Sequence, residues 1–322
     1  MAIATNTSLT FSSVAIREQL SDVIHNIAPL DTPFMSGCAK QTVDNTFFEW
    51  QTDTITAGAA NRKIEGDDSI AADARVLPTR LGNYTQISQY VNLTSGTDDA
   101  VNYAGHGKHQ AYQLAKNGKR MKRDMEYMFT YNTARVAGDS TTARTSAGLQ
   151  SWLGTNYQSV GSGGSPAASS GNGTDAMGDA SSTGSITEAG IKATIKDCYE
   201  AGGNPDLILC KPTIKQAISD LTQSVSELRT QTKGDVPAHV VAAVDVYVSD
   251  FGTFKIQADR NAWRDRDVFF LDMDYWAIAW LRPFQTVELA KTGDATKQML
   301  LAEYGLVSKN EKSSGILADC AA

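Results

Sequence analysis

Two histidines, His106 and His109, stand three residues apart in the segment His106-Gly-Lys-His109 and could share one face of a helix. A zinc site would need at least one further ligand, and the glutamate of an H-E-x-x-H pair is missing, so exposed or interface histidines are the plainer reading. His239, close behind Pro237, reads as a turn residue. Asp98-Asp99 and Asp272-Met-Asp274 are acidic pairs, and two carboxylates can divide acid and base roles when burial splits their pKa values. Helix capping already accounts for the first pair, and a hairpin turn for the second. The four cysteines, Cys38, Cys198, Cys210 and Cys320, form no C-x-x-C pair, which argues against a zinc ribbon or a thioredoxin-like site and for reduced thiols. There is no P-loop, no G-x-G-x-x-G between a strand and a helix, and no G-x-S-x-G elbow. The expectation is a non-enzymatic chain with no cofactor and no bound metal.

One charged pattern remains. Lys116, Lys119, Arg120 and Arg123 run along one side of a long amphipathic segment. They are either a solvated face paired with nearby acids or a surface that meets nucleic-acid phosphates without reading bases. The 322-residue chain is acidic overall, 36 Asp and Glu against 29 Lys and Arg, which excludes a dedicated nucleic-acid binder but not a local basic stripe. At 41% hydrophobic and 20% charged residues a core can form. No apolar run approaches the 18 residues of a membrane span, and the first twenty residues lack a signal-peptide pattern.

The elements that must position these residues are unusual. Ile16, Leu20, Val23, Ile24 and Ile27 make one helical stripe, ending at Pro29. Asp31-Thr-Pro-Phe34 reads as a turn and then an extended segment. Residues 46–56 and 84–94 read as two strands joined by a small, polar, charged tip, a projecting two-stranded arm too thin to be stable alone. From Asp98 a helix of about 40 residues, roughly 60 Å, should run to Gly138 with Leu114, Met121, Met125 and Phe129 on its apolar side. Residues 154–187 are dominated by Gly and Ser and read as a flexible insertion. A mixed α/β unit follows: a helix capped by Thr187, a strand at 207–210, a helix opened by Lys211-Pro212, and strands near 240–248, 253–258, 268–272, 275–281 and 297–307. Arg282-Pro283 reads as a turn. A closed globule of this size buries about three quarters of its unfolded surface, and arms cannot. Their missing contacts should come from other copies of the chain.

The ordered phrases Asp31-Thr-Pro-Phe34, Asn83-Tyr-Thr-Gln-Ile87, Gly202-Gly-Asn-Pro-Asp206, Ser249-Asp-Phe-Gly-Thr253, Leu281-Arg-Pro283 and Leu289-Ala-Lys-Thr-Gly-Asp294 resemble those of a subfamily of major capsid proteins of tailed double-stranded-DNA bacteriophages. The resemblance implies an α+β fold. Its parts are an N-terminal arm (1–45), an extended β-hairpin loop (46–92), a peripheral domain with a spine helix (93–153), the insertion (154–187), an α/β axial domain (188–265), and return strands with a C-terminal tail (266–322). It implies a structural virion protein, assembled in the host cytoplasm, whose copies form hexamers and pentamers of an icosahedral shell around double-stranded DNA. Scaffolding, portal and decoration proteins are the other partners it implies, with no membrane. Phe48, Trp50, Arg62, Lys63, Glu65, Asp67, Asp68 and Arg80 become candidate contacts between subunits, and Lys116, Lys119, Arg120 and Arg123 candidate DNA-facing residues. Nothing marks an acid catalyst beside Lys63, so the cross-linking of some relatives is not expected. A tail or decoration component, or a hydrolase using Asp272, Asp274 or His239, stays as an alternative.

Overall fold

The computed structural model describes residues 31–223 and 245–321, apart from 56, 61, 63, 67–75, 102, 104, 106 and 292. The 14–27 stripe, His106, His239, Lys63, Asp67 and Asp68 therefore lie outside the described residues. The chain enters through a short helix α1 (Pro33–Gly37) and strands β1 (Ala39–Thr42), β2 (Phe47–Thr52), β3 (Thr79–Tyr84) and β4 (Gln86–Ser95). Helix α1 replaces the expected extended segment. Pro33 sets the first helical φ, and the Glu126 carboxylate accepts the Phe34 and Met35 N–H groups at 2.7 and 2.8 Å, so the helix start is completed from far along the chain.

The hairpin also differs from its expected form. Strand β2 pairs antiparallel with β3, Phe47 opposite Tyr84, and β4 leaves it to join another sheet. The expected 40-residue helix is two: α2 (Gly96–Ala100), capped by the Ser95 side chain, and α3 (His109–Thr130), about 33 Å long. The break falls around Gly105 and Gly107, the weakest helix formers in the stretch. Past Thr130 the chain runs irregularly to a short turn, α4 (Leu149–Trp152).

The Gly/Ser-rich stretch is built into the fold and is not a loose insertion. It holds β5 (Tyr157–Ser159), a hairpin of β6 (Ser162–Ala167) with β7 (Gly178–Ser182), and β8 (Gly184–Ser185). Small residues let backbones touch here: a Cβ on Gly184 would stand 1.9 Å from the Val160 carbonyl oxygen. Then come α5 (Glu188–Glu200), capped by Thr187 as expected, β9 (Leu207–Cys210), α6 (Pro212–Gln223), β10 (Val246–Ser249), β11 (Gly252–Ala258), β12 (Val268–Leu271), β13 (Trp276–Leu289), β14 (Ala295–Ser308), β15 (Gly315–Ala318) and β16 (Cys320–Ala321).

Two sheets organise the molecule. One has the order β1-β13-β14-β4, built on the 14-residue strands β13 and β14. Arg282-Pro283 is no turn: β13 runs through it, with the register slipping between Trp280 and Gln285 where proline has no N–H for the ladder. Helix α3 covers one face, burying Met121, Met125 and Phe129 against Trp276, Ile278, Leu300 and Tyr304. The other sheet, β10-β11-β9-β12-β15-β5, carries α5 and α6 and draws strands from 157 to 318.

The units meet at a pair of buried carboxyls. Glu126 of α3 and Asp259, just past β11, are both fully buried. Among the described residues Oδ2 of Asp259 has no hydrogen-bond partner, and the Asp259 carboxyl faces that of Glu126. Burial, then the Asp259 charge, pushes the Glu126 carboxyl up to about 8. The Asn261 amide donates to the Asp31 carbonyl at 2.6 Å, tying the chain entry to the same joint. The folded state thus holds a proton that the unfolded chain releases at ordinary carboxyl pH. Its stabilisation is complete below about pH 4.5 and lost as pH rises through about 8. Glu126→Gln should flatten the fall in thermal midpoint between pH 5 and 8, measured as wild type minus variant. Parallel curves would show that no proton is held there.

Candidate assembly surfaces

The loop is anchored at its root. Phe48 is 8% exposed and packs on Val43, Ala277, Ala279 and Val307, the small-residue side of β13 and β14. Gly305 makes room for it: a Cβ there would stand 2.8 Å from the ring. Trp50 stacks on Phe48 at 5.8 Å and packs tilted against Trp152 at 5.3 Å. Buried Asn83 holds the return strand, donating to Ser146 Oγ and the Leu306 carbonyl and accepting from Tyr84 and Ala147 N–H. The Arg135 guanidinium lies over the Phe47 ring and donates to the Gly82 carbonyl. Next to this root, buried Glu303 takes Arg282 at 2.8 Å, Arg144, and the Thr85 hydroxyl. Phe48, expected to serve a neighbour, is therefore part of this chain's own core, and Trp50 sits beside it.

Beyond the root the described loop residues are exposed. Ile55 is fully exposed, Ile64 83% and Leu77 75%. The charges Arg62 and Glu65 are exposed in the same stretch, and Arg80 pairs with Glu49 across the hairpin at 3.1 Å. Composition hid this pattern, because the apolar residues are scattered among small and charged ones.

A second uncovered apolar surface lies on the sheet. Ile87, Val91 and Leu93 of β4 point away from α3, as do their neighbours Met299 of β14 and Val287 of β13. Ile87 is 50% exposed, Val91 52% and Leu93 63%. The loop root covers the Ala277–Ala279 end of this face and leaves the Val287–Leu93 end open.

Lys116, Lys119, Arg120 and Arg123 are exposed on the outer side of α3. Arg120 lies 4.6 Å over the Tyr90 ring and 4.0 Å from Asp124, which also accepts the Tyr90 hydroxyl. His109 sits at the start of α3, against Tyr103 and Gln113. Asp272 and Asp274 form a local turn, the Asp272 carboxylate accepting the Asp274 N–H. Among the described residues no group of three His, Cys, Asp or Glu could hold a metal ion. All four thiols are buried and unpaired, and burial raises each pKa, to about 12 for Cys198, Cys210 and Cys320. Among the described residues no helix is long and apolar enough to cross a membrane.

A chain with a finished body, a projecting loop and an open sheet face is a shell subunit in type, and its fold is that of solved capsids. It matches a cyanophage A-1(L) capsid chain with a TM-score of 0.68 and 12% identity, over 95% of this chain and 97% of that one. A Mycobacterium phage Bobi chain matches with a TM-score of 0.62 and 12% identity, over 98% and 100%. The sequence goes further: residues 3–321 match the model of the SU10 major capsid protein family, and the chain belongs to that family. A curated relative, the major capsid protein of Escherichia phage Phieco32, is 28% identical over 321 residues, 90% of each chain. The protein is a structural component of the virion and builds its shell.

Phe48→Ala should lower the stability of the unassembled subunit by about 3–5 kcal/mol in a denaturant titration, as a core truncation does. Arg80→Ala, which removes an exposed pair, should cost under about 1 kcal/mol. Equal small effects would place Phe48 outside the core.

Proposed function

We propose that copies of this chain close into rings of six and five that tile an icosahedral shell around double-stranded DNA, with each loop lying on the open sheet face of the next copy. The observation that carries this reading is the pair of unmatched apolar surfaces: Ile55, Ile64 and Leu77 on the loop, and Ile87, Val91, Leu93 and Val287 on the sheet. Apolar area taken out of water gains about 25 cal/mol per Å², so each hundred Å² buried is worth about 2.5 kcal/mol before ordering costs. A contact between two different patches repeats head to tail and closes into a ring when the rotation allows. The axial unit stands at the ring centre. Arg62, Lys63, Glu65, Asp67, Asp68 and Arg80 make the charged rim of the loop contact. The basic side of α3 faces the enclosed DNA and meets phosphates independently of sequence. Scaffolding, portal and decoration proteins complete the partner set.

Deleting residues 58–73 should leave a subunit with an unchanged circular dichroism spectrum that forms no shells under negative-stain microscopy. Replacing Val91 and Leu93 together with lysine should do the same from the receiving side. Regular shells from either variant would refute the loop-on-sheet contact.

A further inference from the structure

The described arginines from Arg80 onward all reach a carboxylate or a carbonyl, with two exceptions. Arg80, Arg120, Arg144, Arg264, Arg266 and Arg282 have carboxylates, and Arg135 has the Gly82 carbonyl. Arg123 and Arg260 have neither among the described residues, and both line the same cleft of about 260 Å³. Lys211, immediately before α6, joins them there. Three cations from α3, from the start of α6 and from the loop after β11 thus converge where the spine helix meets the axial unit. The carboxylate on the lining, Asp124, is already held by the Tyr90 hydroxyl and Arg120. The buried Asp259 carboxylate draws on Lys211 but faces the Glu126 carboxyl. Tyr127 and Trp263 add aromatic faces and the Asn261 side chain adds polar groups.

We infer that this cleft binds a phosphate group, with Arg123 and Arg260 as its two forks. Guanidinium groups match a phosphate's oxygens in paired hydrogen bonds, and an unpaired arginine couple facing one hollow is what such a ligand requires. The aromatic walls suit a nucleotide's sugar and base edges beside the phosphate. The inference rests on the reading of the basic side of α3 as facing nucleic acid, and sharpens it from a diffuse stripe to a pocket at one end of the helix.

The test uses the full-length protein and a 30-base-pair duplex DNA, with affinity measured over a series of salt concentrations. Inorganic pyrophosphate serves as the competitor. The double variant Arg123→Gln with Arg260→Gln alters two exposed side chains and should still fold and form shells. Its log affinity against log salt should be shallower than wild type by about 0.9, because the two forks hold one phosphate and each phosphate neutralised contributes about that much to the slope. Pyrophosphate should compete with duplex on wild type more strongly than on the variant. Pyrophosphate binding that the double variant abolishes, without duplex binding, would support the cleft with free phosphate as its ligand. A wild type that binds neither would sink both the cleft and the DNA-facing reading of α3. Duplex binding with the same slope in the double variant, but a lower slope in Lys116→Gln with Lys119→Gln, would overturn the cleft alone and leave the stripe.

Discussion

The strands β13 and β14 form a long beam with two faces to bury, and the described residues cover one face and part of the other. Helix α3 takes one face whole, with Met121, Met125 and Phe129 along it. On the other face the loop root reaches only to the end lined by Ala277 and Ala279, where small side chains and Gly305 let Phe48 lie close. The rest of that face keeps Val91 and Leu93 in water. The loop carries its own apolar residues past the point where the chain can use them. Most of the arrangement answers this constraint: a packed body, a firm attachment for the loop, and two apolar surfaces left exposed among the described residues.

Rigidity at the attachment comes from polar groups as much as from apolar packing. Glu303 gathers Arg144, Arg282 and Thr85 at the point where the β13 register slips, so the irregularity aims Arg282 at its partner. Asn83 spends its amide on four groups from three parts of the chain. The joint between α3 and the segment after β11 buries two carboxyls where the loop root uses ion pairs. The three chain segments that meet there, at Asp31, Glu126 and Asp259, add hydrogen bonds to an apolar core that already joins Phe34, α3 and both sheets.

Much of this architecture is legible in local sequence. Thr187, Lys211-Pro212 and Leu207–Cys210 announce their elements because caps, proline and β-branched or apolar runs act over a few residues. The apolar side of α3 is equally plain. The misreadings share one cause, which is that distant partners decided the outcome. Pro33 opens a helix because Glu126, ninety residues on, completes it. Residues 86–95 look like the hairpin's return strand, but their hydrogen bonds go to β14. Gly and Ser between 154 and 187 suggest slackness, yet small side chains also permit close backbone approach, as at Gly184. Phe48 could not be assigned to core or contact from its neighbours in sequence, because its cover lies more than two hundred residues away.

The order of strands in the larger sheet bears on the birth of the molecule. Its edge strand β5 ends at Ser159, and the partner beside it, β15, begins only at Gly315. Translation at roughly 5–20 residues per second puts about 8–30 s between them on the ribosome. Within that interval β9, buried along its whole length, waits for β11 and β12, and β5 stays without its ladder partner. A nascent chain in this condition is attractive to chaperones and to its own siblings. Completion of the larger sheet therefore waits for the last strands of the chain.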